Sequence, residues 1–353
     1  MPIYPLEKKP WVSWFDDPHQ RIYISWETEE SNKAIVYYGT DPDNLSLNEI
    51  ETVAKTLHHV NLTSLSANTK YYYKVEIEGE IFGKGEFRTA PAPGTYSSFT
   101  WAMISDTQRT LGPGHNLKTA EALRGKNYTF VANVGDIVDD GFDQIEYDYY
   151  FGVSSIYFNT IPFVPVIGNH DIRKPSLFQN YFINSADPSK KQFFYSFNWS
   201  SVHFQVLDFP HGRQSELTES QENWMKQDLA NAQSLPFRIV MFHCPIVGSA
   251  FFGRNEFLIN NVLPILQEYN VTAVFHGHEH HFERGHFGNL MYMILGGGGA
   301  TQDPGLLPQP ETDILTVTPC YTVVKTEATS LTFLTYTTWG VLFDNYTINS
   351  EGF

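Results

Sequence analysis

The chain has 353 residues, a hydrophobic fraction of 42% and a formal net charge of −16. Its length predicts two domains, or one large domain with an appendage. The acidic charge, without a cluster of Lys and Arg, argues against a surface that coats nucleic acid or anionic membrane. No apolar run is long enough to span a membrane, and the N-terminus has no signal-peptide pattern.

Cysteines and sequons say little about the compartment. Cys244 and Cys320 do not make a disulfide framework. Six sequons hint only weakly at export; they begin at Asn44, Asn61, Asn127, Asn198, Asn270 and Asn345. The location therefore stays open: secreted or extracytoplasmic if a signal peptide was removed, and cytoplasmic otherwise.

Residues 1–94 have the pattern of a small β-domain. Arg21–Trp26 and Ala34–Tyr38 alternate apolar and polar side chains, as half-buried strands do. A leucine-containing turn leads into Tyr71–Val75, which is typical of the tyrosine corner in a fibronectin-III-like sandwich. Ala90–Gly94 has the composition of a linker. We therefore predict a β-sandwich domain over 1–94 and a catalytic domain over 95–353.

After the linker the pattern changes to strand, loop and helix. Five apolar segments each end in Asp, Asn, Gln or His; they are Phe99–Ile104, Tyr128–Val134, Pro162–Ile167, Phe237–Phe242 and Val271–Phe275. In α/β folds, ligands and metals collect at the carboxyl ends of strands. This recurrence predicts a ligand site assembled from several strand ends.

Other elements of the second segment are predicted from periodicity. Residues 218–230 form an amphipathic helix with a capping-box start, and residues 255–269 form another helix. A hairpin over 195–207 contains His203, which alternates with apolar neighbours and is interpreted as structural. A strand from Tyr292 runs into Gly296–Gly299, where close backbone packing is favoured over a phosphate loop. Leu315–Ile348 predicts closing antiparallel strands.

The stretch His276–His281 contains 4 of the 13 histidines of the chain. His278 and His280 are two residues apart, so in extended geometry they share a face. A hydrogen-bonded loop or a solvated histidine tract explains this stretch as well as a metal site does, if it is taken alone. The upstream strand ends favour the metal site.

Seven candidate metal ligands follow the predicted strands. They are Asp106, Gln108, Asp136, Asn169, His243, His278 and His280. One metal does not need seven ligands, whereas two metals about 3.5–4 Å apart and bridged by a carboxylate would use them. Imidazole and oxygen donors without thiolate suit Fe, Mn, Zn or Co better than Ca or a structural Zn. The sequence therefore predicts two transition-metal ions as cofactors.

The same segments carry five short motifs in a fixed order. They are Asp106-x-Gln108, Gly135-Asp136-x4-Gly141, Gly168-Asn-His-Asp171, His243-x-Pro245 and Gly277-His-x-His280. This series resembles the calcineurin-like metallophosphoesterase family. With the fibronectin-like segment, the chain resembles its purple acid phosphatase branch. The resemblance covers nearly the whole chain and implies an α/β fold of two stacked mixed β-sheets flanked by helices, with the β-domain alongside.

The resemblance also implies roles for the residues. Asp136 would bridge the metals; metal one would take Asp106, Gln108 and His280, and metal two would take Asn169, His243 and His278. His170 would protonate the leaving oxygen or stabilise charge on the phosphoryl group, and Asp171 would orient it. The implied reaction is in-line attack of a metal-bound hydroxide on phosphorus.

The sequence departs from the purple acid phosphatase pattern at three places. Asp139 stands where that branch has its ferric-ligand Tyr, so no purple colour is expected. Gln108 stands where many relatives have a His. The paired substrate histidines are absent from 246–254. Arginine forks suit phosphate oxygens, which makes Arg109, Arg173 and Arg254 candidate substrate-binding residues, with surface salt bridges as the alternative.

The predicted function is a dinuclear metal-dependent phosphoesterase that acts on phosphate monoesters or diesters. The predicted partner is a small phosphoester substrate, with no nucleic acid and no membrane; the oligomeric state is not predicted. Two alternatives stay open. One is a catalytically inert binding module with the same fold, and the other is a nuclease, against which the acidic charge and the missing basic groove count.

Overall fold

The computed structural model describes residues 7–109, 115–182, 193–209, 217–304 and 307–350. The first six residues, on which the prediction of no signal peptide partly rests, lie outside these ranges. The strands of the first half are β1 (Lys8–Ser13), β2 (Ile22–Asn32), β3 (Ala34–Gly39), β4 (Leu47–Ile50), β5 (Lys55–Leu62), β6 (Lys70–Ile77), β7 (Glu80–Arg88), β8 (Phe99–Ile104), β9 (Val131–Asn133) and β10 (Phe163–Pro165).

The strands of the second half are β11 (Tyr195–Trp199), β12 (Val202–Val206), β13 (Phe237–Met241), β14 (Ala273–His276), β15 (Phe282–Phe287), β16 (Leu290–Leu295), β17 (Thr312–Thr316), β18 (Cys320–Thr326), β19 (Ser330–Thr337) and β20 (Leu342–Asn349). The helices are α1 (His115–Leu123), α2 (Gln144–Phe158), α3 (Pro175–Tyr181), α4 (Glu219–Asn231), α5 (Glu256–Asn261) and α6 (Leu263–Glu268), with a 3-10 turn over Asp171–Arg173.

The described strands form three sheets. The nine-stranded sheet has the order β20-β19-β18-β8-β9-β10-β1-β2-β5, and the seven-stranded sheet has the order β11-β12-β13-β14-β16-β15-β17. The third sheet has four strands, in the order β4-β3-β6-β7. The two large sheets are mixed, because parallel pairs at their centres are flanked by antiparallel strands.

Hydrophobic packing explains the order of the layers. Trp101 of the nine-stranded sheet packs edge-on against Phe204 and Phe275 of the seven-stranded sheet, so the two sheets share one core. The opposite face of the nine-stranded sheet is covered by α1, α2 and α3. The opposite face of the seven-stranded sheet is covered by α4, α5 and α6. The predicted fold of two stacked mixed sheets flanked by helices is confirmed.

Parallel pairing places the predicted ligand-bearing ends together. In the first sheet β8, β9 and β10 run parallel and end before Asp106, Asp136 and Asn169. In the second sheet β13 and β14 run parallel and end before His243 and His278. The carboxyl ends of both stacks therefore deliver polar side chains, as parallel α/β sheets commonly do.

The N-terminal segment is joined to the catalytic segment by a sheet and by the core. β1 pairs in parallel with β10, and this pairing extends the nine-stranded sheet through β2 to β5. Trp14 packs against Phe197 and Trp199 of β11. The predicted tyrosine corner is confirmed, because the Tyr71 hydroxyl accepts a hydrogen bond from the Ser66 backbone N–H at 2.9 Å. The predicted boundary at residue 94 stays a prediction.

One helix prediction is wrong in its extent. Residues 255–269 form two helices, α5 and α6, that meet at Val262. Pro264 has no N–H to continue the hydrogen-bond ladder of α5, so a new helix begins around it instead. The start at Thr218 is confirmed, since its side chain accepts from the Gln221 N–H. The Gln221 side chain does not complete a capping box, because it binds the backbone of Asp208.

Several smaller predictions are confirmed. β11 and β12 form the hairpin, and His203 there is structural: its Nδ1 lies 2.8 Å from Asn198 Oδ1 and its Nε2 lies 2.9 Å from Asp228 Oδ2. A Cβ on Gly298 would lie 2.2 Å from the Ser105 carbonyl oxygen, so the glycine loop serves close packing. Among the described residues, no helix has the length and apolarity needed to cross a membrane.

We expect the two segments to unfold together because a buried ion pair joins them. Lys8 of β1 is 3% exposed and contacts Glu27 of β2 and Asp148 of α2, the latter at 2.6 Å. Removing one partner of a buried pair costs about 3–5 kcal/mol. Lys8→Ala should therefore lower the free energy of unfolding in urea by that amount, within a single transition.

The neighbouring Lys9 supplies the control, because its pair with Glu7 is exposed. Lys9→Ala should cost no more than about 1 kcal/mol. Equal effects of both variants, or two separate unfolding transitions, would contradict the structural union of the segments.

Candidate metal centre

Three predicted ligands have unusual backbone conformations. Asp106, Asp136 and His278 have φ values of 54°, 50° and 73°. Residues other than glycine rarely adopt positive φ, and such strain is held in place only by strong local contacts. In this case the contacts are direct: the His278 N–H donates to the Asp106 carboxylate at 3.0 Å. The backbone is therefore bent where each strand end delivers its ligand.

The first group of candidate ligand atoms surrounds Asp136. His243 Nε2 lies 3.2 Å from Asp136 Oδ2 and 3.2 Å from Asn169 Oδ1. His278 Nδ1 lies 2.6 Å from the same Asn169 oxygen. Asp136, His243 and His278 also offer ligand atoms that all lie within 4.8 Å of one another. The structure thus brings together the four residues assigned to metal two and to the bridge.

The hydrogen bonds of His243 define which nitrogen faces this group. Its Nδ1 lies 2.8 Å from the Val134 carbonyl oxygen and donates to it, which leaves the lone pair of a neutral imidazole on Nε2. That lone pair points at oxygen acceptors of Asp136 and Asn169. Acceptor atoms this close to one another repel unless a cation or a proton lies among them, so this group fits a metal ion.

The second group consists of Asp106, His280 and Gln108. His280 Nδ1 donates to the Thr301 carbonyl at 2.9 Å, and its Nε2 lies 3.5 Å from Asp106 Oδ1. Gln108 Nε2 lies 3.3 Å from His280 Nε2 and 3.4 Å from Asp136 Oδ2. Gln108 Oε1 is buried and has no hydrogen-bond partner among the described residues. An orphaned buried oxygen fits a cation, and a half-turn of the amide would direct it to the same place as His280.

Asp136 and Asp106 raise the pKa values of the histidines beside them. Burial lowers the pKa of the His243 imidazole, but Asp136 outweighs burial and raises that pKa to about 9. Burial also lowers the pKa of His280, but Asp106 outweighs burial and raises that pKa to about 9. Burial raises the pKa of Asp136, yet His243 and His170 hold it well below its usual range. The site therefore favours positive charge, as a metal centre must.

Gly277 allows a close approach between two loops of the site. Its φ is not positive, and a Cβ at this position would lie 2.0 Å from Ser105 Oγ and 2.4 Å from Asp106 Oδ2. Only a residue without a side chain lets the loop after β14 lie against the loop after β8.

His170 is oriented by a residue other than the predicted one. Its Nδ1 donates to the backbone carbonyl of Asp139, and its Nε2 lies 3.8 Å from Asp136 Oδ2. The Asp171 carboxylate instead accepts the backbone N–H groups of Ile137, Val138 and Gly168. Asp171 is fully buried, so these donors satisfy its oxygens and it holds the loop after β9. The prediction that Asp171 orients His170 is contradicted.

Each candidate substrate arginine has a carboxylate neighbour. Arg109 binds Glu146 at 2.8 Å, and Arg173 lies 4.0 Å from Asp140. Arg254 makes two contacts to the Glu311 carboxylate at 2.9 and 3.0 Å. These ion pairs are what the salt-bridge alternative describes, and the substrate role of the three arginines stays a prediction.

Sequence reasoning missed several residues that support the site. Ser105 Oγ donates to Asp106 at 2.7 Å, and Asp303 accepts from the His280 N–H at 2.7 Å. The Phe252 ring stacks on His278 with centroids 4.1 Å apart. Ser105 could have been found as the neighbour of a ligand. Asp303 and Phe252 carry no local signal, since each reaches the site from a distant loop.

Comparison with known proteins agrees with this geometry. Residues 99–282 match the family described as calcineurin-like phosphoesterase, and residues 9–89 match the purple acid phosphatase N-terminal domain. Purple acid phosphatase 18 of Arabidopsis thaliana is 26% identical over 77% of this chain and 65% of its own length. The Fe(3+)-Zn(2+) purple acid phosphatase 12 of the same plant is 25% identical over 78% of this chain and 64% of its own length.

Solved structures show the same fold. Purple acid phosphatase PPD1 from yellow lupin (Lupinus luteus) seeds superposes with a TM-score of 0.80 at 16% identity, covering 97% of this chain and 74% of that one. PhoD superposes with a TM-score of 0.75 at 12% identity, covering 96% and 90%. The chain spans about two thirds of the length of the curated relatives, 65% and 64% in the two cases above. The family match covers more than half of the described chain, and the chain belongs to the calcineurin-like phosphoesterase family.

Proposed function

We propose that this chain hydrolyses small phosphate esters with two divalent transition-metal ions. The observation that carries the proposal is the convergence of acceptor atoms from Asp136, Asn169 and His243 at the ends of strands from two sheets. The family and the named phosphatases among the relatives support the same class of reaction. When bound, the cations supply Lewis acidity and an acidified water.

The residues that hold the metals divide into the two groups described above. Asp106, Gln108 and His280 hold one ion, Asn169, His243 and His278 hold the other, and Asp136 lies between the groups. Imidazole, amide and carboxylate donors suit Fe, Zn, Mn or Co. Asp139 replaces the phenolate of purple acid phosphatases, and its side chain is partly exposed while its carbonyl binds His170. A ferric phenolate centre therefore does not belong to this proposal.

His170 is the residue proposed to move a proton. Its bond to the Asp139 carbonyl fixes the ring, and the free Nε2 faces the site at 3.8 Å from Asp136. The imidazole is partly exposed, so it can exchange a proton with solvent and with a bound ester. In that position it protonates the leaving oxygen as the bond to phosphorus breaks.

The charge of the chain bears on the size of the substrate. The chain has 23 Lys and Arg against 39 Asp and Glu, and this acidic balance disfavours a long polyanion such as nucleic acid. A small ester needs only the local positive charge of the metals. The same metal centre could hydrolyse monoesters or diesters. Turnover of either ester would exclude the catalytically inert binding module.

The first prediction concerns metal content. His278→Ala should lower bound metal from two ions per chain to one at most, because its imidazole belongs to the group around Asp136. His286→Ala is the matched control, since that histidine lies on β15 and binds Asp313. Elemental analysis after reconstitution with Mn, Fe, Zn or Co gives the count. Two ions in both variants would contradict the ligand assignment.

The second prediction compares ester classes. Metal-loaded protein should hydrolyse para-nitrophenyl phosphate or its bis-para-nitrophenyl diester, and Asp136→Asn should lose at least about 10³-fold in kcat/KM because both metals depend on this carboxylate. Circular dichroism checks that the variant is folded. Two metals bound per chain with no turnover of either ester would favour the inert binding module.

The third prediction tests the proton donor. His170→Ala should reduce kcat for ethyl phosphate by about 10²–10⁴-fold, because an alkoxide leaves poorly without a proton. The loss for para-nitrophenyl phosphate should be far smaller, because nitrophenolate leaves readily. Equal losses for both esters would assign His170 to substrate positioning instead.

A further inference from the structure

The loop between β13 and α5 borders the metal centre and is closed by its own backbone. Val247 and Arg254 form an isolated antiparallel bridge, and the Gly248 N–H donates to the Gly253 carbonyl at 2.9 Å. We call residues 248–253 the Phe loop, after Phe251 and Phe252. It occupies the part of the chain, 246–254, that lacks the paired substrate histidines of the purple acid phosphatase pattern.

A buried carboxylate fixes the Phe loop to the segment that carries His278 and His280. Glu279 is fully buried and accepts the backbone N–H groups of Ala250, Phe252 and Gly253 at 2.9, 2.9 and 3.3 Å. It lies in sequence between two candidate metal ligands, so the loop and the ligands share one support. A Cβ on Gly248 would lie 2.1 Å from Glu279 Oε2, which explains the glycine there.

Glu279, His281 and Glu283 form a buried cluster whose composition would also suit a metal. The hydrogen bonds argue against that use. Both Glu279 oxygens accept loop N–H groups. Glu283 accepts from the Ser249 N–H, from His281 and from two hydroxyl groups, those of Tyr292 and Thr312. All four carboxylate oxygens have donors, so the cluster anchors the Phe loop.

The anchored loop presents an aromatic ring to the metal centre. The Phe252 ring lies 4.1 Å from the His278 ring, at 38° to it, and 39% of the residue is exposed. Phe251 packs edge-on against Phe252 at 5.3 Å and is 79% exposed. A rigid backbone that holds an apolar ring in water beside a polar site is typical of a ligand-contacting surface.

We propose that Phe252 is a specificity-determining residue that favours phosphate esters whose ester group carries an aromatic or flat apolar ring. This inference rests on the proposed phosphoesterase function. The phosphoryl group would lie at the residues proposed to hold the metals, and the ring of the ester group would pack on Phe252 as aromatic rings do, offset or edge-on. Glu279 is a positioning residue, because it acts only by holding the loop.

The test uses two pairs of ligands, and in each pair one member carries a phenyl ring that the other lacks. The atom bonded to phosphorus is the same within a pair: an alkoxy oxygen in the phosphates and an alkyl carbon in the phosphonates. For benzyl phosphate and ethyl phosphate, kcat/KM is measured. Benzylphosphonate and ethylphosphonate have no ester bond to hydrolyse, so their binding is measured by calorimetry. The metal-loaded wild type should prefer the benzyl member of each pair by about tenfold, the effect of partly burying one ring. Phe252→Ala should reduce that ratio to within about twofold of unity, while Phe252→Trp should retain it.

Phe251→Ala is the matched control, and its benzyl-to-ethyl ratio should stay near that of the wild type because the ring is mostly exposed. Glu279→Gln should lower the ratio while two metals remain bound. A benzyl preference in phosphonate binding without turnover of any ester would uphold Phe252 and overturn the hydrolytic function. Equal ratios in wild type and Phe252→Ala, in both binding and turnover, would overturn the inference about Phe252.

Discussion

The structure depends on a buried group of ligand atoms, gathered at the strand ends, that needs positive charge. His243 Nε2 lies 3.2 Å from Asp136 Oδ2 and 3.2 Å from Asn169 Oδ1, while its Nδ1 is bound to the Val134 carbonyl. Acceptor atoms this close repel one another unless a proton or a cation lies among them. Burial makes such repulsion costly. A cation removes the cost, so metal binding should stabilise the fold as well as supply the chemistry. The strained backbones of Asp106, Asp136 and His278 are held for the same purpose.

The segment from His278 to Glu283 contributes two different sets of side chains to the site. His278 and His280 lie among the candidate metal ligands, while Glu279, His281 and Glu283 form a second, buried set. The second set fixes the Phe loop, which carries Phe252 back to His278. Catalysis and substrate preference would then share a single support. The N-terminal segment contributes differently: through Lys8 and Trp14 it continues the sheet and the core from which the ligands project.

Much of the fold and the ligand set could be predicted from sequence, because the signals are local. An apolar run followed by Asp106, Asp136 or His243 predicts both a buried strand and a ligand at its end. Parallel pairing of the strands then brings these ligands together. Contacts between distant loops left no such signal. The partners of Asp171 are backbone N–H groups, which any sequence supplies, so its role was predicted wrongly. Pro264 did carry a local signal for the break between α5 and α6, and it was outweighed by the periodicity around it. The extension of the nine-stranded sheet by β1, β2 and β5 is a long-range pairing that a turn-and-strand pattern does not encode.

The most direct measurement is a crystal structure of the Mn-loaded protein with anomalous diffraction. We expect two anomalous peaks about 3.5–4 Å apart. One should be contacted by Asn169, His243 and His278 and the other by Asp106 and His280, with Asp136 touching both. A single peak, or two peaks that do not share Asp136, would contradict the dinuclear centre on which the proposed function rests.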